Sequence, residues 1–203
     1  MSSLPKVVFV GGVHGAGKTT ICNLLAKKND WPVTKQRRLL IQAGSQDGYT
    51  WPEVAQHHDQ YMLPTAVLAE KALTSSQTGV LLVDCHYAIR SLKALRPHTP
   101  EGNFIADLDQ RFVAHLARNH LLFFILLEVA PLLAVKRFKS RPSHFLDHDN
   151  THPGILEKSQ AEAIFLAKLV DHFNISDKQV LRLSNNRQIN IALAKISNLI
   201  NNL

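Results

Sequence analysis

Apolar residues along the chain follow two rhythms. One is the continuous run: KVVFVGG (6–12), GVLLVDCH (79–86), LLFFILLE (121–128) and QVLRL (179–183). Unbroken runs of this length suit strands of a parallel sheet, which are covered on both faces. The other is the three-to-four spacing of amphipathic helices. It predicts helices over 19–28, through RRLLIQAG (37–44) with Gly44 as the stop, from Thr50 to Gly79, over 106–118, from Pro131 to about Arg141, over 155–173, and through Ile189, Leu193, Ile196 and Ile200. A short strand is expected near Val33.

The punctuation agrees with this reading. Thr50-x-x-Glu53 reads as a capping box with Pro52 in the first turn. Behind it Val54, His58, Tyr61, Thr65, Leu68 and Ala72 share one face, and Pro64 is expected to kink the helix. Pro142 disfavours helix at Arg141. RPHTPEGNF (96–104) and RPSHFLDHDNTHPG (141–154) read as irregular. Strands alternate with helices throughout, so one doubly wound α/β domain spans 1–203, with ligands at the carboxyl ends of the strands.

Composition narrows the setting. At 203 residues and 45% hydrophobic, the chain can bury a full core. Its longest apolar run, LLFFILL, is too short to cross a bilayer, and MSSLPK has neither a basic n-region nor an apolar h-region. A cytoplasmic protein with no membrane partner is expected. Cys22 and Cys85 fall in regular elements and read as packing residues. The formal net charge of +7 suits a nucleic-acid partner, a nucleotide pocket lined by Lys and Arg, or a solvated basic surface.

The chemistry concentrates in GGVHGAGKTT. Gly12-x-x-x-x-Gly17-Lys18-Thr19 matches the phosphate-binding P-loop between a strand and a helix. Gly12, Val13, His14, Gly15, Ala16, Gly17, Lys18, Thr19 and Thr20 are the expected nucleotide-binding residues. The glycines let backbone N–H groups approach phosphate oxygens, and the helix points its positive end at the anion. Lys18 is expected on the β- and γ-phosphates, and the Thr19 hydroxyl on Mg²⁺. Asp84, at the end of its strand, is expected to face the same ion.

Other P-loop classes fit less well. No Asp-x-x-Gly switch or Asn/Thr-Lys-x-Asp base reader is present, and no second carboxylate follows Asp84 to polarise a water. That favours transfer to an acceptor over hydrolysis. Arg90 lies six residues past Asp84. Arg137 and Arg141 are four apart, on one helix face beside a polar loop that could close over phosphates. His144, His148 and His152, with Asp147 and Asp149, have a metal-like spacing, but Pro142 and Pro153 interrupt the helix that would align them and no Cys joins them.

LLVDCHYAIR and FFILLEVAPLLAVKRFKSR, together with the P-loop, resemble the archaeal-type adenylate kinases, a branch of the nucleoside-monophosphate kinases. The resemblance runs over nearly the whole chain. It implies a five-stranded parallel sheet of order 2-3-1-4-5 with helices on both faces, an acceptor-binding region at about 34–78 and a small lid at about 137–153. It implies transfer of the γ-phosphate of ATP to a small acceptor, AMP favoured, with Mg²⁺. Lys18 and Thr19 would serve ATP, Asp84 the metal, Arg90 the acceptor phosphate, Arg137 and Arg141 the lid; SNNR from Ser184 would lie by the adenine. A homo-oligomer is compatible with it. Cys85 stands where the family has Thr, and residues 36–60 carry extra arginine and aromatic residues. The alternative is therefore a P-loop protein acting on another acceptor or on a polynucleotide, with Arg37, Arg38, Trp31 and Trp51 as a groove.

Overall fold

The computed structural model describes residues 4–90, 100–140, 151–186 and 189–202. Its centre is a parallel sheet built from β1 (Lys6–Gly11), β2 (Val33–Lys35), β3 (Val80–Asp84), β6 (Leu121–Glu128) and β7 (Val180–Ser184). The spatial order is β2-β3-β1-β6-β7. It differs from the expected 2-3-1-4-5 because two short strands, β4 (Ala88–Arg90) and β5 (Phe104–Ala106), intervene in the chain and pair only with each other, antiparallel. That ribbon was not foreseen: three-residue strands are too short to show a rhythm.

The continuous runs divide between two cores by strict alternation. Val7 and Phe9 of β1, Leu81 and Val83 of β3, and Leu122, Phe124 and Leu126 of β6 face one core. It is closed by α2 (Gln36–Ser45), α3 (Trp51–Gln56), α4 (Met62–Thr74), α6 (Gln110–Ala117) and α8 (His152–His172). Their neighbours Val8, Val10, Leu82, Phe123 and Ile125 face the other, covered by α1 (Lys18–Asn29), α7 (Pro131–Lys139) and α9 (Ile189–Asn201). The remaining helix, α5 (Pro100–Asn103), is one short turn leading into β5. Phe9 stacks on Phe124 at 5.1 Å and meets Phe112 edge-on at 5.9 Å, geometries each worth about 0.5–1.5 kcal/mol beyond area burial.

Three local expectations change. The helix expected from Thr50 breaks at His57 into α3, a 3-10 turn over His58–Tyr61, and α4. The capping box forms, but Pro64 falls in the first turn of α4, where a missing N–H costs nothing, so it kinks no helix. The helix expected over 106–118 starts at Gln110, capped by Asp109 accepting from the Arg111 N–H. Gly44 does not stop α2 but lies buried inside it. A Cβ there would fall 2.1 Å from Val54 Cγ2, so the glycine lets α3 press against α2. Gly44→Ala is expected to destabilise the fold by about 1–3 kcal/mol through overpacking. Trimming the neighbour as well, in Gly44→Ala/Val54→Ala, should recover part of that loss in a urea titration.

Candidate active site

The loop between β1 and α1 wraps its own lysine. Lys18 is buried, and its Nζ donates to the carbonyls of Gly12 at 2.7 Å and Val13 at 3.2 Å. Burial lowers its pKa below the usual lysine range, against the opposing charges of Glu162 and Asp84. The loop is braced from outside. Asn185, just past β7, donates through Nδ2 to the Ala16 carbonyl at 2.6 Å, and its own N–H bonds the Glu128 carbonyl at 2.8 Å. Arg137 of α7 donates to the Gly15 carbonyl at 3.2 Å and to the Asn185 carbonyl at 2.9 Å.

At the head of α1, Thr19 Oγ1 donates to Asp84 Oδ2 at 2.5 Å. Parallel pairing of β1 with β3 sets this, since Val10 and Asp84 lie side by side at the strand ends. Two hard oxygens meeting beside a phosphate loop are the donor set Mg²⁺ prefers, so the expected pair fits that ion.

One cleft of about 330 Å³ joins this loop to the end of β2. His14, Gly15, Gly17, Lys18, Thr19 and Thr20 line its P-loop end. Lys35, Gln36, Arg37 and Asp107 line the other, with Asp84, Cys85 and His86 also on its wall. Arg37 lies over the Trp51 ring at 4.3 Å. Gln36 is buried, its Nε2 donating to the Asp107 carbonyl at 2.6 Å, while its Oε1 has no partner. Asp107 in turn pairs with buried His58 at 3.2 Å.

Of the arginines expected to carry the chemistry, Arg90 and Arg137 fall among the described residues. Arg90, at the end of β4, pairs with Glu157 at 3.1 Å and lies over the Phe104 ring at 4.9 Å; it does not line this cleft. Arg137 borders a neighbouring hollow with Gly15, Gly17, Thr20, Asn185 and Ile189, on the side where SNNR was expected to meet the adenine. Arg141, most of the lid region, His144 and His148 lie outside the described residues. No cluster of three metal-type side chains forms among the described residues. The aromatic groove does not assemble, because Trp31 is buried in the core under α1 and α9 while Trp51 packs with the α2–α3 pair.

Comparison with solved structures bears on this arrangement. The chain is similar to a shikimate kinase from Bacteroides thetaiotaomicron, with a TM-score of 0.57 and 14% identity over 96% of this chain and 98% of that one. It is similar to a shikimate kinase from Acinetobacter baumannii in complex with shikimate (TM-score 0.52, 16% identity, 98% and 93%) and to TT1252 from Thermus thermophilus (TM-score 0.58, 12% identity, 98% of both chains). The fold is the one these solved structures share. No protein-family model and no curated protein matches the sequence. No helix among the described residues is long and apolar enough to cross a membrane.

Within this fold, one group of residues escaped the sequence reading. Glu162 of α8 is fully buried and accepts from His86 Nδ1 at 2.7 Å and from the Tyr87 N–H at 2.6 Å. Lys158, one turn earlier, is buried with it. Burial raises the Glu162 pKa, against the opposing pull of Lys158 and Lys18. Burial, then Lys18 and Lys158, hold His86 well below the usual histidine range, against a backbone hydrogen bond at Gly12. A signal existed. Ile155, Lys158, Glu162, Leu166 and Leu169 follow one helical stripe, so two charges occupy positions where the rhythm calls for apolar residues.

Proposed function

We propose that the chain is an ATP-dependent phosphotransferase that moves the γ-phosphate of ATP to a small anionic acceptor, with AMP the favoured one. The observation that carries this reading is the single cleft running from the P-loop to the Lys35–Arg37 end of β2. A hydrolase needs room for a water; this cleft extends further, to an end that bears Lys35 and Arg37.

The loop's backbone N–H groups would hold the phosphates, and Lys18 would exchange its two carbonyl partners for phosphate oxygens. Mg²⁺, held by Thr19 and Asp84, would neutralise charge on the transferring group. Arg137, already bonded to the Gly15 carbonyl, is near enough to the loop to serve the same phosphates. Lys35 and Arg37 would fix the acceptor's anionic group, with the Arg37 guanidinium steadied on Trp51. The motifs shared with archaeal-type adenylate kinases support AMP. The shikimate seen in one structural neighbour makes a hydroxylated carboxylate the natural competitor.

A coupled assay of ATP against nucleoside monophosphates, nucleosides, shikimate and short oligonucleotides tests this. Turnover with AMP is expected. Arg37→Ala should raise the acceptor KM about tenfold, the scale of one charge-assisted hydrogen bond, with the ATP KM unchanged. Arg90→Ala should raise it less, because Arg90 must first leave Glu157. Turnover confined to oligonucleotides, or none with any acceptor, would sink the reading.

A further inference from the structure

A buried carboxylate requires an explanation, and Glu162 has no part in the phosphate or acceptor chemistry described above. Its two oxygens hold consecutive groups, the His86 ring and the Tyr87 N–H. These residues follow Asp84 within three positions, so the carboxylate anchors the chain where it leaves β3 beside the P-loop. Downstream the anchor continues into β4. Tyr87 is fully buried and its hydroxyl donates to the Ile125 carbonyl at 3.0 Å, within hydrogen-bond reach of the Phe9 carbonyl also. Glu157, on the same helix, holds Arg90 at the end of β4. Helix α8 thus grips the segment 86–90 at both ends.

Upstream the anchor reaches the P-loop through a ring. His86 meets the His14 imidazole edge-on, centroids 5.0 Å apart, and His14 in turn faces Phe138 of α7 at 6.0 Å. The first turn of the P-loop is therefore bounded by His86 on one side and α7 on the other. The Gly12 carbonyl in that turn currently accepts from Lys18. When Lys18 moves to a phosphate, that support is lost and the His86 wall stays.

We propose that Glu162 is a positioning residue: it orients the His86 ring against the P-loop and so keeps the loop in its phosphate-binding shape when Lys18 turns to the nucleotide. This rests on the phosphotransfer reading, because it assigns Lys18 to phosphate. Glu162 touches no substrate and acts through His86.

The test is a double-mutant cycle on MgADP affinity, read by calorimetry, together with ¹⁵N spectra of the imidazole rings in the nucleotide-free protein. Glu162→Gln keeps the size but leaves one acceptor oxygen for two donors, His86 Nδ1 and the Tyr87 N–H. It is expected to move the ¹⁵N signals of His86, assigned by their loss in His86→Gln, and to leave the exposed histidines unmoved. Glu162→Gln and His86→Ala are each expected to weaken MgADP binding about tenfold, the lower end of what removing an orienting partner costs. The double variant should bind within about twofold of His86→Ala alone, since both changes break one relay. Losses that multiply in the double variant, or an unmoved His86 signal, would overturn the proposal. Should Glu162→Gln fail to fold, His86→Ala carries the test, and wild-type MgADP affinity in that variant would overturn it. A wild-type protein that does not bind MgADP would overturn the phosphotransfer reading, with the ring signal still deciding whether Glu162 orients His86.

Discussion

Lys18→Ala is expected to lower kcat by about 10²–10³-fold or more, the scale of losing one preorganised charge from a transition state, while leaving the fold as stable as before. The two halves have different causes. Transfer needs a cation on the β- and γ-phosphates, and a loose transition state leaves the protein little to do except align and neutralise charge. Folding does not need that cation. Burial holds the Lys18 ammonium below the usual lysine range, so folding disfavours its charged form at every pH below that range. Removing it relieves a cost but leaves the buried Gly12 and Val13 carbonyls without their side-chain donor, an offsetting loss. The two effects oppose each other, so the expected melting temperature is close to that of the wild type. Steady-state kinetics and a thermal melt on the same preparation check both halves. Full kcat in this variant would dispose of the P-loop mechanism.

Gly12→Ala should be the most damaging small substitution for the fold. Gly12 has φ +133°, where an L side chain is strained, and its added Cβ would fall 2.4 Å from the Leu127 carbonyl oxygen of β6. That neighbour is a central strand and cannot yield. Strain and overpacking together set the expected loss at about 3 kcal/mol or more, with nucleotide binding lost as well. Gly48→Ala is the control. It also has positive φ, at +76°, but nothing lies within 4 Å of the added carbon, so about 1 kcal/mol is expected. Urea titrations of both variants separate the two causes: equal losses would mean that backbone strain, not close approach, governs Gly12.

The sheet strands and the phosphate loop were legible because their signals are local. KVVFVGG, VLLVD and LLFFILLE carry continuous apolar runs, which only a strand covered on both faces uses at that length. The Gly12–Thr19 pattern is legible for the same reason, since every residue in it answers to the backbone and phosphates of its own loop. The Thr50–Glu53 cap formed as expected, its two partners being three residues apart. Thr19 and Asp84 are 65 residues apart, yet they could be paired from sequence because both end elements whose parallel packing was itself legible.

What could not be read depended on distance along the chain without such a frame. The β4–β5 ribbon has three-residue strands and no rhythm, and exists because their pairing across 88–106 satisfies backbone groups. Gly44 looked like a helix stop; its reason for being glycine is Val54, on another helix. Arg90 was expected at the mouth of the cleft; its partners Glu157 and Phe104 could not be read from its own segment. Composition and pattern along this chain specify the layers and the P-loop, since those follow from the covalent neighbours of each residue. The far end of the cleft comes from β2, α2 and the Asp107 turn meeting in one place, and the partners of the buried Glu162 come from the segment that follows β3. A buried charge is tolerable only where such convergence supplies its partners, and no stretch of a single segment contains them.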